Sequence, residues 1–280
     1  MNNGSWGNVE GPVWVDDALY LSEMSSASYS QSSPDQKMAR MLKVTADGDV
    51  SVFVEDSGSN GLAIGPTGDL LAGVHKDGSV TQFSLPDGTP TVLVSGYMGS
   101  PFNAPNDLAV HSGGTIFVSD PTFNAPSSPP QPETYVYRLS NGGEVEPIPN
   151  AENPDAFTNP NGVTLSLAED YLYVAAQTGR RYPVTETGEI GAGEDFPATN
   201  GGDGMVIDCA GNLYVAKANS SNIEVYTPDG DSIGTIMVPG FQGVTNAAFG
   251  GPDRQTLYIT GLGNDKGLFQ LELDIPGRPY

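Results

Sequence analysis

The sequence is short of cysteine, histidine and basic residues, and each shortage excludes a class of site or partner. One cysteine, Cys209, rules out an internal disulfide framework and any metal site made of several thiolates. Two histidines are present in all, which argues against a preference for Zn²⁺. Eleven lysines and arginines face 34 aspartates and glutamates, so the net charge is −23. A surface of this sign repels nucleic acids and anionic membranes, and neither is an expected partner.

Long apolar runs and helical periodicity are missing as well. No run approaches the roughly 18 apolar residues that a bilayer span requires. The first residues, MNNGSWGNVE, lack the basic and apolar regions of a signal peptide. We therefore expect a soluble protein with no obligate protein partner. The acidic, lysine-poor composition favours an exported or high-salt setting but leaves the compartment open.

Glycine and proline are plentiful instead, with 36 and 23 residues, which is typical of a turn-dense β protein. One pattern occurs six times: a polar residue, an apolar strand, a turn with glycine or aspartate, and a second apolar strand. The stretch NGVTLSLAEDYLYVA is one copy, and further strands such as GSVTQFSL and DGTPTVLV follow each pair. The six copies begin, at intervals of 42 to 55 residues, at Glu10, Asn60, Asn106, Asn161, Asp203 and Thr245.

Four strands at this period are typical of one blade of a β-propeller. We therefore predict an all-β, six-bladed β-propeller with four-stranded antiparallel blades, as a single domain over residues 1–280. The last unit lacks a fourth strand, and we expect residues 2–9 to supply it and close the ring. Inserts rich in Ser, Pro and Gly at 24–36, 121–133 and 177–200 are predicted rim loops over one face. The alternative, a β-sandwich, is disfavoured by six aligned units.

The residue that opens each unit predicts a metal site. The first strand of a propeller blade lines the central channel, so the six openers point at a shared axis, and none of them is apolar. Burying two carboxylates and three amides there costs several kcal/mol unless something compensates them. A divalent cation would do so, Ca²⁺ first because it takes six to eight oxygen ligands, with Zn²⁺, Mn²⁺ or Mg²⁺ as other possibilities. Glu10 and Asp203 would balance its charge, and Asn106 and Asn161 would add neutral oxygens. A channel filled by water and side-chain hydrogen bonds is the alternative.

The same residues lie in motifs that resemble the SMP-30/gluconolactonase family. The motifs follow one another in order over nearly the whole chain: EGPVW at 10–14, PND at 105–107, PNG at 160–162, GDG at 202–204 and FGGPDRQTLYIT at 249–260. The resemblance implies a six-bladed propeller with one divalent cation in its channel, and an enzyme that hydrolyses sugar lactones or other lactones. By position, it makes Glu10, Asn161 and Asp203 the metal ligands, and Asn106 a fourth ligand or a substrate contact.

Two segments are more similar to bacterial gluconolactonases than to the animal proteins. They are FVSDPTF at 117–123 and LLAGVHKDGSVTQFS at 70–84, which contains His75. The chain also departs from the animal sugar lactonases, since Ala104 stands where they carry an arginine and Asn124 falls roughly where they carry a glutamate. Both of those groups help to hold sugar hydroxyls. An unmodified gluconolactone specificity therefore does not follow from the resemblance.

The protein is predicted to be a metal-dependent hydrolase. Its small-molecule substrate would be a sugar lactone or another small lactone, which it opens. The carbonyl would be polarised by the ion, and water would be activated by a general base. Asp203, His75 and Asp120 are the candidate bases. Asp203, also a metal ligand, could act as the base if it binds the ion through one oxygen only. The alternative roles of the other two are a rim or turn histidine that never touches substrate for His75 and a turn cap for Asp120. No nucleophile elbow is present, which disfavours a covalent acyl-enzyme.

The candidate substrate contacts are Asn60, Asn106, Asn124 and Thr245. We expect Asn60 and Thr245 to act by shaping the channel through hydrogen bonds. Two other functions stay open at this point. One is a phosphotriesterase that uses the same ion on a phosphoryl oxygen, and the other is a non-catalytic binding propeller in which calcium is structural.

Overall fold

The structure, a computed structural model, describes residues 6–24, 39–85, 87–148, 157–262 and 267–279. These residues form antiparallel β-sheets, together with one turn of 3-10 helix at Pro197–Thr199. Within the same ranges, no helix is long and apolar enough to cross a membrane.

The first three sheets contain four strands each, and in every one the strands are neighbours in chain order. The strands of the first are β1 Asn8–Val15, β2 Ala18–Met24, β3 Arg40–Thr45 and β4 Val50–Val54. The second comprises β5 Ser59–Ile64, β6 Leu70–Val74, β7 Ser79–Phe83 and β8 Pro90–Val94. The third comprises β9 Leu108–Val110, β10 Ile116–Asp120, β11 Tyr135–Leu139 and β12 Val145–Ile148.

The other three sheets follow the same order. The fourth consists of β13 Val163–Leu165, β14 Tyr171–Val174, β15 Arg180–Pro183 and β16 Glu194–Asp195. The fifth consists of β17 Met205–Ile207, β18 Leu213–Lys217, β19 Asn222–Tyr226 and β20 Ser232–Met237. The sixth has three strands among the described residues: β21 Gly243–Gly250, β22 Thr256–Leu262 and β23 Gly267–Glu272.

The first strands of the six sheets surround a common axis. β1, β5, β9, β13, β17 and β21 contact one another in that order, and β1 also contacts β21. Across this last seam the Thr245 hydroxyl donates to the Val9 carbonyl oxygen at 2.8 Å. The ring is therefore closed, and the predicted six-bladed β-propeller is confirmed.

The N-terminal segment takes part in the closure, although not entirely as expected. Trp6 packs in one apolar cluster with Tyr258 and Leu268 of the last blade. Asn8 and Val9, expected in a fourth strand of that blade, belong to β1 instead. Residues 2–5 lie outside the described residues.

One of the three predicted rim loops is corrected by the structure. Residues 121–133 do connect β10 to β11 as a loop, whereas most of the 24–36 insert lies outside the described residues. The 177–200 segment contains two strands, β15 and β16, which complete the fourth blade. Their cross-strand pairs, Arg180 with Asp195 and Arg181 with Glu194, are ion pairs rather than apolar contacts, so no apolar alternation marks them in the sequence.

Apolar side chains hold neighbouring blades together. Each of the six interfaces between blades contains one buried apolar cluster. Phe117 and Leu172 meet between the third and fourth blades. Between the last blade and the first, the rings of Trp14 and Tyr258 stack with centroids 5.5 Å apart. The stabilising apolar contacts therefore lie between blades, which leaves the axis free to carry polar groups.

The acidic surface makes the stability depend on salt. A net charge of −23 repels itself, and salt screens this repulsion. Raising sodium chloride from about 0.01 M to about 1 M shortens the screening length from about 30 Å to about 3 Å. We expect the melting temperature to rise, by about 2–4 °C for each kcal/mol of repulsion removed. Calorimetry over a salt series measures it.

A less acidic variant is the control for this experiment. Glu144, Glu186 and Asp253 are exposed, and replacing all three with lysine lowers the negative charge without touching the core. The salt response of this variant should be smaller. A response equal to that of the wild type would show that salt acts through apolar burial rather than through charge.

Candidate metal centre

The structure brings five of the predicted channel residues together at one end of the channel. Glu10 lies in β1 and Asn60 in β5, whereas Asn106, Asn161 and Asp203 each come two residues before an innermost strand. All are buried except Asn161, which is half-buried. All five therefore lie at or just before the innermost strand of their blades, and their role as one site stays a prediction.

Close packing of the inner strands explains the residue that follows each of these positions. Four of the five are followed by glycine: Gly11, Gly61, Gly162 and Gly204. A Cβ at Gly61 would lie 2.4 Å from the Asn106 carbonyl oxygen, and one at Gly162 would lie 2.0 Å from that of Asp203. Only glycine lets the neighbouring backbones come this near, and this approach places the preceding polar side chains around a single point.

The acidic groups at this point are poorly compensated. Burial, together with the charges of Asp203 and Asp107, raises the pKa of Glu10 well above its usual value. Burial and the charge of Asp107 do the same to the pKa of Asp203, and burial alone raises the pKa of Asp107 to about 7. No lysine, arginine or histidine of the described chain forms an ion pair with any of the three. A bound cation would therefore be strongly favoured here.

Two amide oxygens of these residues lack a hydrogen-bond partner within the described part of the chain. They are Oδ1 of Asn60 and Oδ1 of Asn161, and both are buried. Hydrogen bonding from Asn161 lowers the pKa of Asp203, so the Asn161 amide turns its N–H groups to that carboxylate and keeps its oxygen free. Unpaired buried oxygens are rare because each forfeits a hydrogen bond. Amide oxygens of this kind are among the ligands that a hard cation such as Ca²⁺ takes.

The amides are essential to such a site. Nowhere in the described chain do three or more His, Cys, Asp or Glu residues group in a way that could hold a metal ion. A cation in the channel would be held by Glu10 and Asp203 together with amide oxygens. This oxygen-only set fits Ca²⁺ better than Zn²⁺, which prefers nitrogen and sulfur ligands.

His75 contacts this group of residues through Asn60. It follows β6, is 2% exposed, and its Nε2 lies 3.2 Å from Nδ2 of Asn60. Since an amide nitrogen only donates, Nε2 accepts this hydrogen bond. Burial lowers the pKa of His75 to about 4, against a weaker effect of hydrogen bonding with the backbone of Pro105. His75 is thus neutral near pH 7 and orients the Asn60 amide.

Asp120 is hydrogen-bonded to the backbone of the segment that precedes Asn106. Its carboxylate accepts hydrogen bonds from the backbone N–H groups of Asn103, at 2.9 Å, and Ala104, at 2.8 Å. Burial outweighs these two bonds and raises the pKa of Asp120 to about 7. This geometry is that of the turn-capping alternative, and the role of general base stays a prediction.

The remaining predicted substrate contacts lie in different places. The backbone N–H of Asn106 donates to the Ser119 carbonyl oxygen at 2.8 Å, which fixes its position beside the third blade. Asn124 is half-buried in the loop between β10 and β11. The Thr245 hydroxyl is engaged by Val9 and by Thr260, so it holds the seam between blades. That Thr245 also shapes the channel for a substrate stays a prediction.

Two channel residues escaped the sequence reasoning. Asp107 and Asn246 occupy the positions after Asn106 and Thr245, where the other four units have glycine. Both are buried, and each adds a polar side chain immediately beyond the ring. The sequence signal is the absence of glycine as the second residue of these two units, which begin with ND and TN. The other four units begin with EG, NG, NG and DG.

A cavity of about 600 Å³ occupies the opposite half of the channel. Its walls are mainly apolar residues of the six innermost strands, and Asp107 and Asn246 lie at the end nearest the ring. At its outer end Glu169 pairs with Arg278 and lies 3.6 Å from His111. The candidate metal centre and this cavity are therefore separated by the Asp107 and Asn246 side chains.

The ring geometry and the fold agree with one protein family. Residues 9–263 match the family described as SMP-30/Gluconolactonase/LRE-like region. The chain belongs to this family. The membership expected from the sequence motifs is thereby confirmed.

Two relatives of this chain and one solved structure similar to it are lactonases by name. A gluconolactonase from Zymomonas mobilis is 29% identical over 290 residues, which cover 91% of this chain and 76% of that protein. Pentonolactonase XacC from Haloferax volcanii is 28% identical over 297 residues, covering 96% of this chain and 92% of the relative. The solved structure of a gluconolactonase from Xanthomonas campestris superposes with a TM-score of 0.78 at 25% identity, over 97% of this chain and 87% of its own.

Burial of Asp120 makes the stability depend on pH. Its pKa is about 7 in the folded protein and about 3.9 in an unfolded chain. The folded state therefore keeps a proton that the unfolded chain releases between about pH 4 and pH 7. The contribution of Asp120 to the free energy of unfolding falls as the pH rises through this range, by up to about 4 kcal/mol, and then levels off.

Urea denaturation of metal-free protein measures this effect. Asp120→Asn carries no charge at any pH, so its free energy of unfolding should fall less between about pH 5 and about pH 7.5 than that of the wild type. Parallel falls in the two proteins would mean that Asp120 does not hold a proton in the folded state.

Proposed function

We propose that this protein is a calcium-dependent lactonase whose metal centre is formed by Glu10, Asn161 and Asp203, with Asn106 as a further ligand or substrate contact. The observation that carries the proposal is the ring itself, where uncompensated buried carboxylates meet unpaired amide oxygens. The gluconolactonase and pentonolactonase relatives, matched over more than nine-tenths of this chain, supply the reaction class.

Each residue of the ring has a defined task in this proposal. When bound, a calcium ion supplies Lewis-acid polarisation of the lactone carbonyl. Glu10 and Asp203 balance its charge, while Asn161 holds Asp203 by a hydrogen bond and offers its free oxygen to the ion. Asn60, oriented by His75, presents its own unpaired oxygen to the ion or to a substrate hydroxyl.

Asp203 is the best placed of the three candidate bases. It is buried, and its backbone belongs to the ring of residues that open the innermost strands. His75 accepts a hydrogen bond from Asn60 through Nε2, and Asp120 accepts two from the backbone, so both are engaged by the protein. Asp203 bound to the ion through one oxygen would retain the other to take a proton from water.

The substrate class is a small aldonolactone. The named relatives act on gluconolactone and on a pentonolactone, which share a ring ester and several hydroxyls. Ala104 and Asn124, in place of the arginine and glutamate of the animal sugar lactonases, argue for a hydroxyl pattern different from theirs. The rim segments around these two positions would select it.

The first experiment is a lactonase assay that follows proton release. Purified protein, given a panel of pentono- and hexonolactones, should lose activity when stripped with a chelator and regain it with calcium. Glu10→Gln and Asp203→Asn should reduce kcat/KM by about 100-fold or more, because each removes a charged ligand.

Two results would contradict the proposal. If folded, calcium-loaded protein hydrolyses no lactone, a lactonase is excluded. The same preparation would then be assayed with phosphotriesters. Activity that is unchanged after complete chelation would exclude the ion. Calcium binding without hydrolysis of either substrate class would identify a calcium-stabilised binding propeller instead.

His75→Ala distinguishes an orienting residue from a general base. An orienting role predicts a loss of about 10- to 100-fold in kcat/KM with weaker calcium binding, as for residues that position metal ligands. A general base predicts a loss of about 10²–10⁴-fold in kcat with calcium binding unchanged. We expect the first result, together with a pH–rate profile that has no inflection near the usual histidine pKa, since His75 is already neutral above about pH 4. Kinetics over pH, with calorimetric calcium titration, measure both.

A further inference from the structure

Three of the segments that lead into the innermost strands contain an asparagine that makes the same kind of contact. In each, the amide oxygen accepts a hydrogen bond from a backbone N–H in the connection between the second and third strands of a blade. The pairs are Asn103 with Gln131 at 2.9 Å, Asn159 with Thr122 at 2.8 Å and Asn200 with Gly179 at 2.7 Å. Since neighbouring strands are antiparallel, these connections lie at the end of the blade where the first strand starts. The asparagines therefore attach loops at this end of the channel to the segments that carry the proposed metal ligands.

Asn159 is the most constrained of the three. Its φ is +49°, a left-handed conformation that is uncommon outside glycine and that asparagine adopts more readily than most residues. Its Oδ1 accepts two hydrogen bonds from Thr122, one from the backbone N–H at 2.8 Å and one from the hydroxyl at 2.9 Å. The Asn159 N–H donates to the Thr134 hydroxyl at 3.3 Å, and this hydroxyl donates to the Phe157 carbonyl oxygen at 2.9 Å. Both ends of the loop between β10 and β11 are thus bonded to the segment around Asn159.

The segment that anchors this loop is itself held by its own blade. Asn161, two residues after Asn159, donates its backbone N–H to the Ala175 carbonyl oxygen at 2.8 Å. Because Ala175 directly follows β14, this bond fixes Asn161 within the fourth blade. The loop belongs to the third blade. Asn159 therefore connects two blades, immediately before a proposed metal ligand.

The loop carries side chains that a substrate can reach. Phe123 is 52% exposed, and Asn124 beside it, a predicted substrate contact, is half-buried. Both come directly after Thr122, so the two hydrogen bonds to Asn159 fix the backbone from which they project. Ligand sites usually combine aromatic or apolar side chains with a few well-placed polar groups.

We propose that Asn159 is a positioning residue for substrate binding, which holds the loop between β10 and β11 in a fixed place beside Asn161. This role rests on the proposed lactonase function and adds a residue to it. A loop that is already ordered loses less conformational entropy when a ligand binds, so the anchor increases the affinity for substrate. An amide oxygen suits this task because it accepts from both donors of Thr122 without adding a charge.

Replacing Asn159 with glycine removes the acceptor and keeps the left-handed backbone. Asn159→Gly should raise KM for the preferred lactone by about 10-fold, the effect of losing hydrogen bonds of ordinary strength. Since no ligand is lost, kcat and the calcium affinity from isothermal titration should change by less than about 3-fold. Asn159→Asp, which keeps an acceptor, should restore most of the wild-type KM. Asp16→Gly is the matched control, because Asp16 has the same φ of +49° in the exposed turn between β1 and β2.

Limited proteolysis tests the same role without relying on catalysis. Chymotrypsin cleaves after phenylalanine, and Phe123 is an exposed site within the loop. If Asn159 holds the loop, cleavage after Phe123 should be about 10-fold faster in Asn159→Gly, because local opening becomes easier. Cleavage in the Asp16→Gly control should match the wild type. Fragment masses identify the site, and their time course gives the rate.

Thr122→Val shows whether Asn159 acts through Thr122. Valine has the shape of threonine but no hydroxyl, so one of the two hydrogen bonds is lost. The change should raise KM by about 3-fold in the wild type and have no further effect in Asn159→Gly, where the acceptor is gone. An equal effect in both backgrounds would overturn the role. Should Asn159→Gly fail to fold, wild-type KM and wild-type cleavage in Thr122→Val would overturn it.

The outcomes also separate this inference from the proposed function. If the wild type opens no lactone, the lactonase is refuted, and the role of Asn159 in substrate binding is overturned with it, whatever the cleavage rates. If the wild type is an active lactonase and Asn159→Gly changes neither KM nor cleavage, the positioning role is overturned and the lactonase stands.

Discussion

The constraint on which the rest of this structure depends is the burial of three carboxyl groups, Glu10, Asp107 and Asp203, that form no ion pair with a basic residue of the described chain. Burying such groups without a counter-charge is among the costliest arrangements a protein can hold. The blades make it tolerable, because the apolar clusters that stabilise the ring lie between them and away from the axis. The cost is thus confined to one point, where a cation would remove most of it.

The neutral groups around this point are arranged for the same purpose. Hydrogen bonding from Asn161 lowers the pKa of Asp203, and the amide oxygens of Asn60 and Asn161 have no hydrogen-bond partner within the described residues. His75 contributes indirectly. It accepts a hydrogen bond from the Asn60 amide nitrogen and so fixes the orientation of that amide. Amides suit this task because one group offers donors to a carboxylate and an acceptor to a cation.

The sequence was sufficient for the fold and for locating the polar residues that open the inner strands, and insufficient for the residues that follow them. The repeat predicted the blades because their inner strands are short apolar runs. It also located the polar residue at the start of each unit, because that residue precedes the apolar run at a fixed place. Asp107 and Asn246 were missed because a polar residue at this position is not unusual in itself. It becomes informative only when one knows that the glycine in the other four units permits close approach of neighbouring backbones. β15 and β16 were missed because their ion-paired arginines carry no apolar alternation, and the β-bulge between Val244 and Asn246 in β21 has no signature in the local sequence.

The segment before Asn106 shows how specificity can change while the ring stays in place. Asp120 holds the backbone of residues 103 and 104 by two N–H bonds, and Ser119 holds Asn106, so the position of Asn106 does not depend on the side chain at 104. Ala104 is fully buried, and an arginine there would have to reach out of this packed site towards the channel. Within the described residues, the hydrogen bonds to the Asp120 carboxylate come from backbone N–H groups, in keeping with the raised pKa of Asp120. In the proposed lactonase, an exchange at this one position would therefore change the charge near Asp120 while the backbone of Asn106 keeps its hydrogen bond to Ser119.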